Sequence, residues 1–599
     1  MPTLTRPGVY VSATNFPTYV SSTPGTAAAA FIGPCPRGPG APTTGGIPTK
    51  VDSWREFTQW FGGFETAYPP SLLHLAVYCF FSAGGTSATI IRSIRLDSSG
   101  PTVALASFND QATTAVPTLQ VNAANPGAWG NQLWIDILPG PPDLNFLGEV
   151  TTFTIQVKYK GNGPNNVVEQ WPGLSMIPGS TNMGQNNYAP QIVNNPWTGS
   201  KWINLTDLGA ATPAVRTVTD GVTTSGSTAF SSATAAFTES DEGGTISGPG
   251  IPTGTLIGEV SSPTACTLSN PATATATAVH VTITPPPWID NPAPTAASVN
   301  LAGGGDGSPI TFQDQLTALQ KLDQYPDQPF VINMPGEVTG SDITSVVGYA
   351  QQRGNAFVVI DCPPGMSPAG MVSFAQALSA SPQAAIYYPQ VQISDPYNPT
   401  PGATRMVAPG GFVVGKYIDT DATRGVQKAP AGLGATLLGA YGLEYTCTNA
   451  DQGALTQANV NCLISVPGSG VVIWGARTLS PYLVTRYVPV ERTLIYLSTE
   501  MTAMTKFAVF EPNDWVLWTQ INSILSQFLT SFWQSGGLNG TSAQEAFYVT
   551  CDGTINTPQT IQQGIVNVEV GVSLEYPAEF VVISIGQWAG GQSVAVTSV

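Results

Sequence analysis

The sequence predicts an α/β core domain built from both ends of the chain, with a β-rich insertion that carries a nested all-β module and with extended terminal arms. Three observations lead to this fold class. Short apolar strands alternate with helical stretches near the amino end and again from about residue 300, as in parallel or mixed sheets. The stretch between them alternates with period two, as antiparallel strands do. Both chain ends are apolar and almost uncharged.

Composition limits the classes of function. The chain has 599 residues, of which 10% are charged, whereas soluble domains average about 25%. Such a chain either solvates itself with neutral polar side chains or hides surface in an assembly. The net charge of −17 and the absence of any basic run argue against direct binding of nucleic acid, which needs a basic footprint.

The two terminal arms, 1–25 and 576–599, carry one charge each, Arg6 and Glu579. The carboxyl-terminal arm has a Gly-Gly break at 590–591, where backbone freedom is greatest. An exposed apolar strand at a terminus invites aggregation, so we expect both arms to pair with other strands. The candidate pairing residues are Val9, Tyr10, Val11, Phe580, Val582, Ile583, Ile585, Val594 and Val596.

The first core segment, 26–96, has the order β-α-α-β that begins an α/β domain. A buried strand is predicted at 27–32, and "VDSWREFTQWFGG" is predicted to form a short helix that ends at Gly62. The next helix is predicted to run from an N-cap at Ser71 to a C-cap at Gly84. The strand "SATIIRSI" closes the segment.

The β-rich insertion is predicted at 97–216 and 285–299, and the nested module at 217–284. The nested segment has no Lys or Arg, and its strands recur at short spacing with turn residues between them. A low-complexity linker is the alternative interpretation. The second core segment, 300–575, alternates strands such as "FVVIDCPPG" with helical stretches.

No pattern indicates an enzyme. Asp361 and Cys362 stand at the carboxyl end of a strand, where α/β enzymes place catalytic groups, but a cysteine nucleophile needs a partner base. The two histidines, His74 and His280, are poor candidates for it, and a structural strand end is the better interpretation. The seven cysteines include no CxxC pair, so neither a zinc site nor a disulfide framework is expected. No cofactor is expected, and the glycine-rich stretches are interpreted as turns.

The segment 515–533 has no charge but many Thr, Gln, Asn and Ser side chains. We predict an amphipathic core helix rather than a membrane span. The start of the chain lacks the basic and then apolar pattern of a signal peptide, so folding in a cytoplasm is expected. Asp421, Arg424 and Lys428 form a charge cluster in sequence, which we interpret as solvated or interfacial rather than as an anion site.

Short motifs, taken in order, resemble the contractile-tail sheath proteins. They include "PGVYV", "AFIGPCPRGP", "NPGAWGNQL", "LAGGGDG", "FVVIDCPP", "TDATRGVQKAPAG", "RYVPVERTLIYL", "FEPNDWVLW" and "PAEFVVISIGQ". The resemblance covers both ends and most of residues 300 to 590. Residues 217–284 depart from the family's common pattern.

The resemblance implies a mechanical function. Family members form hexameric rings that stack helically around an inner tail tube, beginning at a baseplate and ending at a terminator protein. Their arms donate strands to neighbouring subunits. A baseplate signal lets the cylinder contract and drive the tube through an envelope without ATP. The expected location is the virion tail, after assembly in the host cytoplasm.

The resemblance also suggests which surfaces make contacts. Segment 515–533 resembles the part that faces the tube, although relatives carry charges there and this chain has none. Segment 217–284 is expected on the outside. The candidate interface or tube-facing residues are Arg424, Lys428, Lys506, Glu511, Asp514, Gln520 and Gln527.

Two other classes of function remain open at this point. A surface adhesin or decoration protein of a virion would form a discrete oligomer and would not need its arms. An intracellular enzyme using Asp361 and Cys362 would lose turnover on thiol modification.

Overall fold

The computed structural model of the chain describes residues 27–41, 43–64, 70–110, 117–140, 152–176, 181–182, 185–208, 215–237, 241–285, 293–580, 587–589 and 592–594. The chain divides into two compact units. The first comprises Met1–Cys35, Gly46–Ser93 and Ile310–Val599, and the second comprises Pro36–Gly45 and Ile94–Pro309. Each unit is described by itself below.

The helices of the described residues are short to medium in length. They are α1 (Trp54–Phe61), α2 (Leu72–Ser82), α3 (Ala189–Val193), α4 (Phe312–Leu319), α5 (Gly340–Arg353), α6 (Pro368–Ala377), α7 (Gly410–Arg424), α8 (Asn449–Gln457), α9 (Val488–Met504), α10 (Trp515–Gln534), α11 (Ala543–Ala546) and α12 (Pro558–Gln562).

The strands lie in both units. They are β1 (Ala28–Gly33), β2 (Gly40–Ala41), β3 (Gly45–Gly46), β4 (Thr49–Val51), β5 (Ala88–Arg92), β6 (Leu105–Asn109), β7 (Pro117–Ala123), β8 (Leu133–Pro139), β9 (Phe153–Tyr159), β10 (Val167–Leu174), β11 (Thr181–Asn182), β12 (Gln185–Asn186), β13 (Ile203–Asp207), β14 (Arg216–Thr223), β15 (Ala229–Ser231), β16 (Thr245–Ser247), β17 (Ile257–Ser262), β18 (Ala265–Leu268), β19 (Ala276–Thr284), β20 (Ala297–Asn300), β21 (Phe330–Asn333), β22 (Ala356–Ile360), β23 (Ala384–Tyr388), β24 (Val391–Ser394), β25 (Thr404–Val407), β26 (Gly442–Leu443), β27 (Val460–Val466), β28 (Gly470–Ile473), β29 (Phe547–Thr550), β30 (Glu569–Val572), β31 (Gln587–Ala589) and β32 (Gln592–Val594).

An eight-stranded sheet organises the first unit, in the order β28-β27-β23-β22-β21-β1-β5-β4. Strand β1 pairs in parallel with β5 on one side and with β21 on the other. Strands from residues 28–92 and from beyond residue 330 therefore share one sheet. The central strands are buried along their whole length, as parallel strands covered on both faces must be. The prediction of a mixed α/β fold is confirmed.

Two hydrophobic cores form because side chains alternate across the sheet. Ala29 and Phe31 belong to one core, which also contains α2, α7 and part of α9. Ala30 and Ile32 belong to the other, which contains side chains of α4, α5, α6 and α8.

Helices α2 and α7 pack closely because glycines face the contact. A Cβ on Gly411 would stand 2.2 Å from the carbonyl oxygen of Ala76, and one on Gly415 would stand 2.5 Å from that of Phe80. Neither position has room for a side chain, so the sequence of α7 decides this helix spacing.

The predicted helix ends agree with the structure, with small corrections. The hydroxyl of Ser53 caps α1 and Gly62 ends it, and the hydroxyl of Ser71 caps α2. The C-cap of α2 is Ala83 rather than the predicted Gly84, because Gly84 takes the positive φ of 99° one position later. The first strand begins one residue later than predicted.

The second unit is built mainly from antiparallel sheets. One has the order β10-β9-β8-β20 and another β13-β7-β6. The guanidinium of Arg37 lies 4.6 Å from the ring centre of Trp129 and 3.8 Å from that of Trp202, and its Nη2 donates to the carbonyl of Lys201 at 2.8 Å. A buried cation is stabilised here by two aromatic faces.

Residues 216–284 form a six-stranded sheet in the order β16-β19-β14-β15-β18-β17. Its strands alternate buried and exposed residues, and it has its own apolar cluster around Phe230, Phe237 and Val281. The first and last strands are neighbours, since Arg216 is the register partner of Ile283. Both ends of this segment therefore lie side by side.

Candidate assembly site

The sequence-predicted site residues concentrate in the first unit, around α10 and the carboxyl-terminal arm. Helix α10 begins at Asp514, whose Oδ1 accepts the backbone N–H groups of Val516 at 2.9 Å and of Leu517 at 3.2 Å. A carboxylate at this position also interacts favourably with the helix dipole. Asp514 thus caps α10. This structural role was not part of the prediction, which named Asp514 only as an interface or tube-facing candidate.

Helix α10 has one buried stripe, as its apolar spacing predicted. Every fourth residue from Leu517 to Leu529 is buried in a local core. The opposite side is exposed and has only neutral side chains: Val516, Thr519, Gln520, Ser523, Gln527, Ser531 and Gln534. Among the described residues no helix is long and apolar enough to cross a membrane.

A two-stranded antiparallel sheet stands beside α10. Strand β29 pairs with β30, with Phe547 opposite Val572 and Thr550 opposite Glu569. Within the described part of the chain these strands pair with no other strand. Each strand therefore keeps one edge of backbone groups that no strand fills, and two-stranded sheets are marginal on their own.

The carboxyl-terminal arm is described in part. Phe580 is 73% exposed, and Val594 lies in β32, which forms a hairpin with β31. The other proposed pairing residues lie outside the described residues: Val9, Tyr10, Val11, Val582, Ile583, Ile585 and Val596.

The charged candidates differ in their surroundings. Arg424 and Lys428 are exposed, and neither forms an ion pair within the described residues. Partial burial and the nearby charge of Arg424 lower the pKa of Lys428. Lys506 pairs with Asp327 at 2.5 Å on the surface, where such pairs contribute little to stability. Glu511 is exposed.

Asp421 corrects the predicted charge cluster. It is buried in the core and paired with Arg492, which donates to it from both terminal nitrogens. Helix α7 turns Asp421 inward while Arg424, three residues later, is exposed. The surface part of the cluster is therefore cationic.

Asp361 and Cys362 lie at a buried strand end. Oδ1 of Asp361 accepts the N–H of Gly410 at 2.8 Å, and Oδ2 accepts Nδ2 of Asn333 at 3.3 Å. Burial raises the pKa of Asp361 to about 6 and raises that of the Cys362 thiol. A raised thiol pKa disfavours the nucleophilic thiolate. Among the described residues no three His, Cys, Asp or Glu side chains converge on a metal position.

Sequence reasoning missed a polar contact at the root of the arm. Glu579 is bound by Arg477 and Tyr487 of the core. The one available signal was that Glu579 is the sole charge of residues 576–599. No sequence pattern near Arg477 predicted its pairing with Glu579.

Comparison with known proteins identifies the family. No family model and no curated protein matches the chain. Among solved structures, the PVC sheath complex of an extracellular contractile injection system, in its contracted state, is 32% identical and matches 44% of this chain and 72% of its own, with a TM-score of 0.39.

Two further structures match over most of the chain. The helical sheath of the anti-feeding prophage in its contracted state is 17% identical over 98% of this chain and 100% of its own, with a TM-score of 0.50. A sheath tail protein from Listeria innocua is 12% identical over 89% of this chain and 90% of its own, also at 0.50. These two show the fold.

The prediction that the chain is not an enzyme is confirmed, since these matches are structural sheath proteins. Three findings support the family assignment: the sequence identity to the PVC sheath over more than two thirds of that protein, the shared fold, and the ordered motifs of the sequence. The chain belongs to the family of contractile-tail sheath proteins.

Proposed function

We propose that this sheath subunit forms hexameric rings, that the rings stack helically around an inner tail tube, and that the cylinder contracts to drive the tube through a target envelope. Two of the similar structures are sheaths in a contracted state, and one of these is helical. The other partners in this proposal are the baseplate and terminator proteins. Assembly takes place in the host cytoplasm, and the finished subunit is part of the virion tail.

One observation carries the proposal: the chain combines apolar, nearly neutral arms with a two-stranded sheet that has unfilled edges. The arms at 1–25 and 576–599 are the donors of strands. Strands β29 and β30 are the acceptors, because each has one edge that no described strand pairs with. Main-chain hydrogen bonds would link neighbouring subunits while their domains move.

The hairpin formed by β31 and β32 limits the ways in which the carboxyl-terminal arm can pair with a strand of a neighbouring subunit. In the single chain, β31 and β32 pair with each other as antiparallel strands. Donation to a neighbour either extends this hairpin at its outer edge or exchanges one of its strands. Both routes need only local rearrangement at the end of the chain.

The neutral exposed face of α10 is the proposed tube-facing surface, with Gln520 and Gln527 at its centre. Amide side chains donate and accept hydrogen bonds without long-range repulsion or attraction, which suits a surface that must slide. Arg424 and Lys428, together with Glu511 and Lys506, are proposed contacts between subunits.

The proposed domain roles follow the predicted boundaries. Segments 26–96 and 300–575 form the inner core, and 97–216 with 285–299 form the insertion. The nested module, 217–284, faces outward and does not take part in stacking.

Electron microscopy of three proteins tests the proposal. The full chain is compared with a variant that lacks 1–25 and 581–599, which retains Glu579 and the described core. A variant lacking only 217–284 is the matched control, since it removes more residues but no arm. We expect striated hollow cylinders from the full chain and from the control, and monomers or single rings from the armless variant.

Other outcomes would change the conclusion. Cylinders from the armless variant would contradict strand donation. Compact oligomers of one size from all three proteins would contradict the sheath mechanism and favour a decoration protein of the virion.

A further inference from the structure

Where the carboxyl-terminal arm leaves the core, at residues 575–580, the core binds the side-chain carboxylate of Glu579 through three hydrogen bonds. Oε1 of Glu579 accepts Nε of Arg477 at 2.7 Å, and Oε2 accepts Nη2 of the same guanidinium at 2.7 Å. The hydroxyl of Tyr487 donates to Oε2 at 3.0 Å. Two parallel bonds from one guanidinium are the strongest and most directional form of this pair.

Arg477 is also held by contacts that do not involve Glu579. The side chain of Asn461 accepts the backbone N–H of Arg477 at 2.6 Å and donates to its carbonyl at 2.7 Å. Nη1 of Arg477, which Glu579 does not use, donates to the carbonyl of Thr456 at 2.8 Å. Asn461 lies in β27, so the receptor is fixed to the strand next to the edge strand β28 of the eight-stranded sheet.

Tyr487 is positioned by the same segment. It forms an antiparallel bridge with Arg477, and the N–H of Thr478 donates to the carbonyl of Arg486 at 2.7 Å. The ring of Tyr576 meets that of Tyr487 edge to face at 6.4 Å. The side chains of the ion pair, Arg477 and Glu579, are 11% and 20% exposed.

The rest of the arm root has weaker support. Tyr576 is 50% exposed and Phe580 is 73% exposed, and Glu575 is exposed as well. A partly buried bidentate pair is therefore the main restraint on the direction in which the chain leaves the core.

We propose that Arg477 and Tyr487 form a carboxylate receptor for Glu579 that fixes the root of the carboxyl-terminal arm and passes its load into β27. This inference rests on the proposed role of the arm as a link between subunits. With the receptor occupied, the part of the arm that is proposed to link to a neighbouring subunit begins after residue 580. A pulling force from a neighbouring subunit then reaches the eight-stranded sheet through Glu579. Residues 575–580 stay bound to the core under this force.

Electron paramagnetic resonance of the unassembled full chain tests the receptor without requiring a cylinder. A nitroxide label is placed on Ala578→Cys, an exposed position beside Glu579, and the seven native cysteines are buried. Glu579→Gln keeps the shape of the side chain but removes its charge and one pair of acceptor sites. We expect it to shorten the rotational correlation time of this label by about threefold or more, while a label on the exposed Gln559→Cys of α12 stays unchanged. Arg477→Lys should have the same local effect, because a lysine cannot make the two parallel bonds.

Glu575→Gln is the matched control, since it removes a neighbouring exposed charge. It should leave the mobility of the label at position 578 as in the wild type. Equal mobility of this label in Glu579→Gln and wild type would overturn the receptor, and so would an equal gain in mobility at position 559. Absence of cylinders from the wild-type chain would instead contradict the proposed function and leave the mobility result interpretable.

Discussion

The core of the first unit and the six-stranded sheet of residues 216–284 each contain an arginine bound to an aspartate by two hydrogen bonds, in different surroundings. In the core, the side chains of Arg492 and Asp421 are 2% and 0% exposed. In the six-stranded sheet, Arg216 donates to Asp241 at 2.8 and 2.6 Å, and the arginine side chain is 28% exposed. Both partners are excluded from solvent in the core, whereas in the six-stranded sheet the arginine reaches solvent and the side chain of Asp241 is 3% exposed.

The difference follows from the two kinds of sheet. The eight-stranded sheet is largely parallel and covered on both faces, so a polar group near it must find a protein partner. The six-stranded sheet is antiparallel, and its strands alternate buried and exposed positions. Water can therefore replace lost contacts there more easily. The comparison suggests that the core is intolerant of charge changes and that the six-stranded sheet is tolerant.

The largest effect is expected from Arg492→Met. It leaves the buried carboxylate of Asp421 without its ion-pair partner, and the free energy of unfolding of the first unit should fall by about 3–5 kcal/mol. Urea titration followed by circular dichroism measures this. Adding Asp421→Leu should recover much of the loss, because no unpaired carboxylate then remains at this position. A single variant as stable as the wild type would contradict the solvent-excluded pair.

A second effect concerns pH. Burial raises the pKa of Glu491 from 4.5 to about 7. The folded state then holds this proton more tightly than the unfolded state, so the contribution of Glu491 to stability falls as the pH rises from about 4.5 to about 7. Glu491→Gln removes that dependence. We expect the stability of the variant relative to wild type to increase by up to about 3 kcal/mol between pH 4.5 and 7.5.

The six-stranded sheet supplies a contrast with the opposite sign. Hydrogen bonds from the hydroxyls of Ser232 and Thr234 lower the pKa of Asp220. Its contribution is present above the ordinary pKa of the group and is lost as the pH falls. Asp220→Asn should therefore reduce the loss of stability in acid. The same pH dependence in both variants would remove this distinction between the regions.

A smaller effect is expected from Arg216→Met. Asp241 loses its ion-pair partner, but water can enter where the partly exposed guanidinium stood, so the cost should be about 1–2 kcal/mol. Urea titration of the variant measures it beside Arg492→Met. A loss as large as that of Arg492→Met would mean that the two pairs are equally excluded from water.

The smallest effect on the remainder of the chain is expected from excising 216–284 and joining residues 215 and 285 with a short Gly-Ser linker. Arg216 and Ile283 are register partners, so the new ends need little displacement. The free energy of unfolding of the first unit should change by less than about 0.5 kcal/mol, and thermal unfolding measures it. A large loss would show that the core depends on this sheet.

Local patterns in the sequence determined much of the secondary structure. Ser71 marked a helix start and Gly62 a helix end, and apolar runs such as those of β1 and β22 marked buried strands. The stripe on α10 was readable because neighbours on a helix face are three or four residues apart. These features depend on residues close together in the chain, which is why a sequence by itself contains them. The ordered motifs also identified the family.

Tertiary structure alone decided which distant residues meet. Asp421 and Arg492 are 71 positions apart, and Arg477 and Glu579 are 102 positions apart. Strand β1 lies between β5 and β21 although the chain runs through about 240 residues between those two strands. No local periodicity encodes such pairings, because they arise when the whole sheet closes around its cores. For this reason Asp421 was misplaced on the surface, and the contact at the root of the arm was not foreseen.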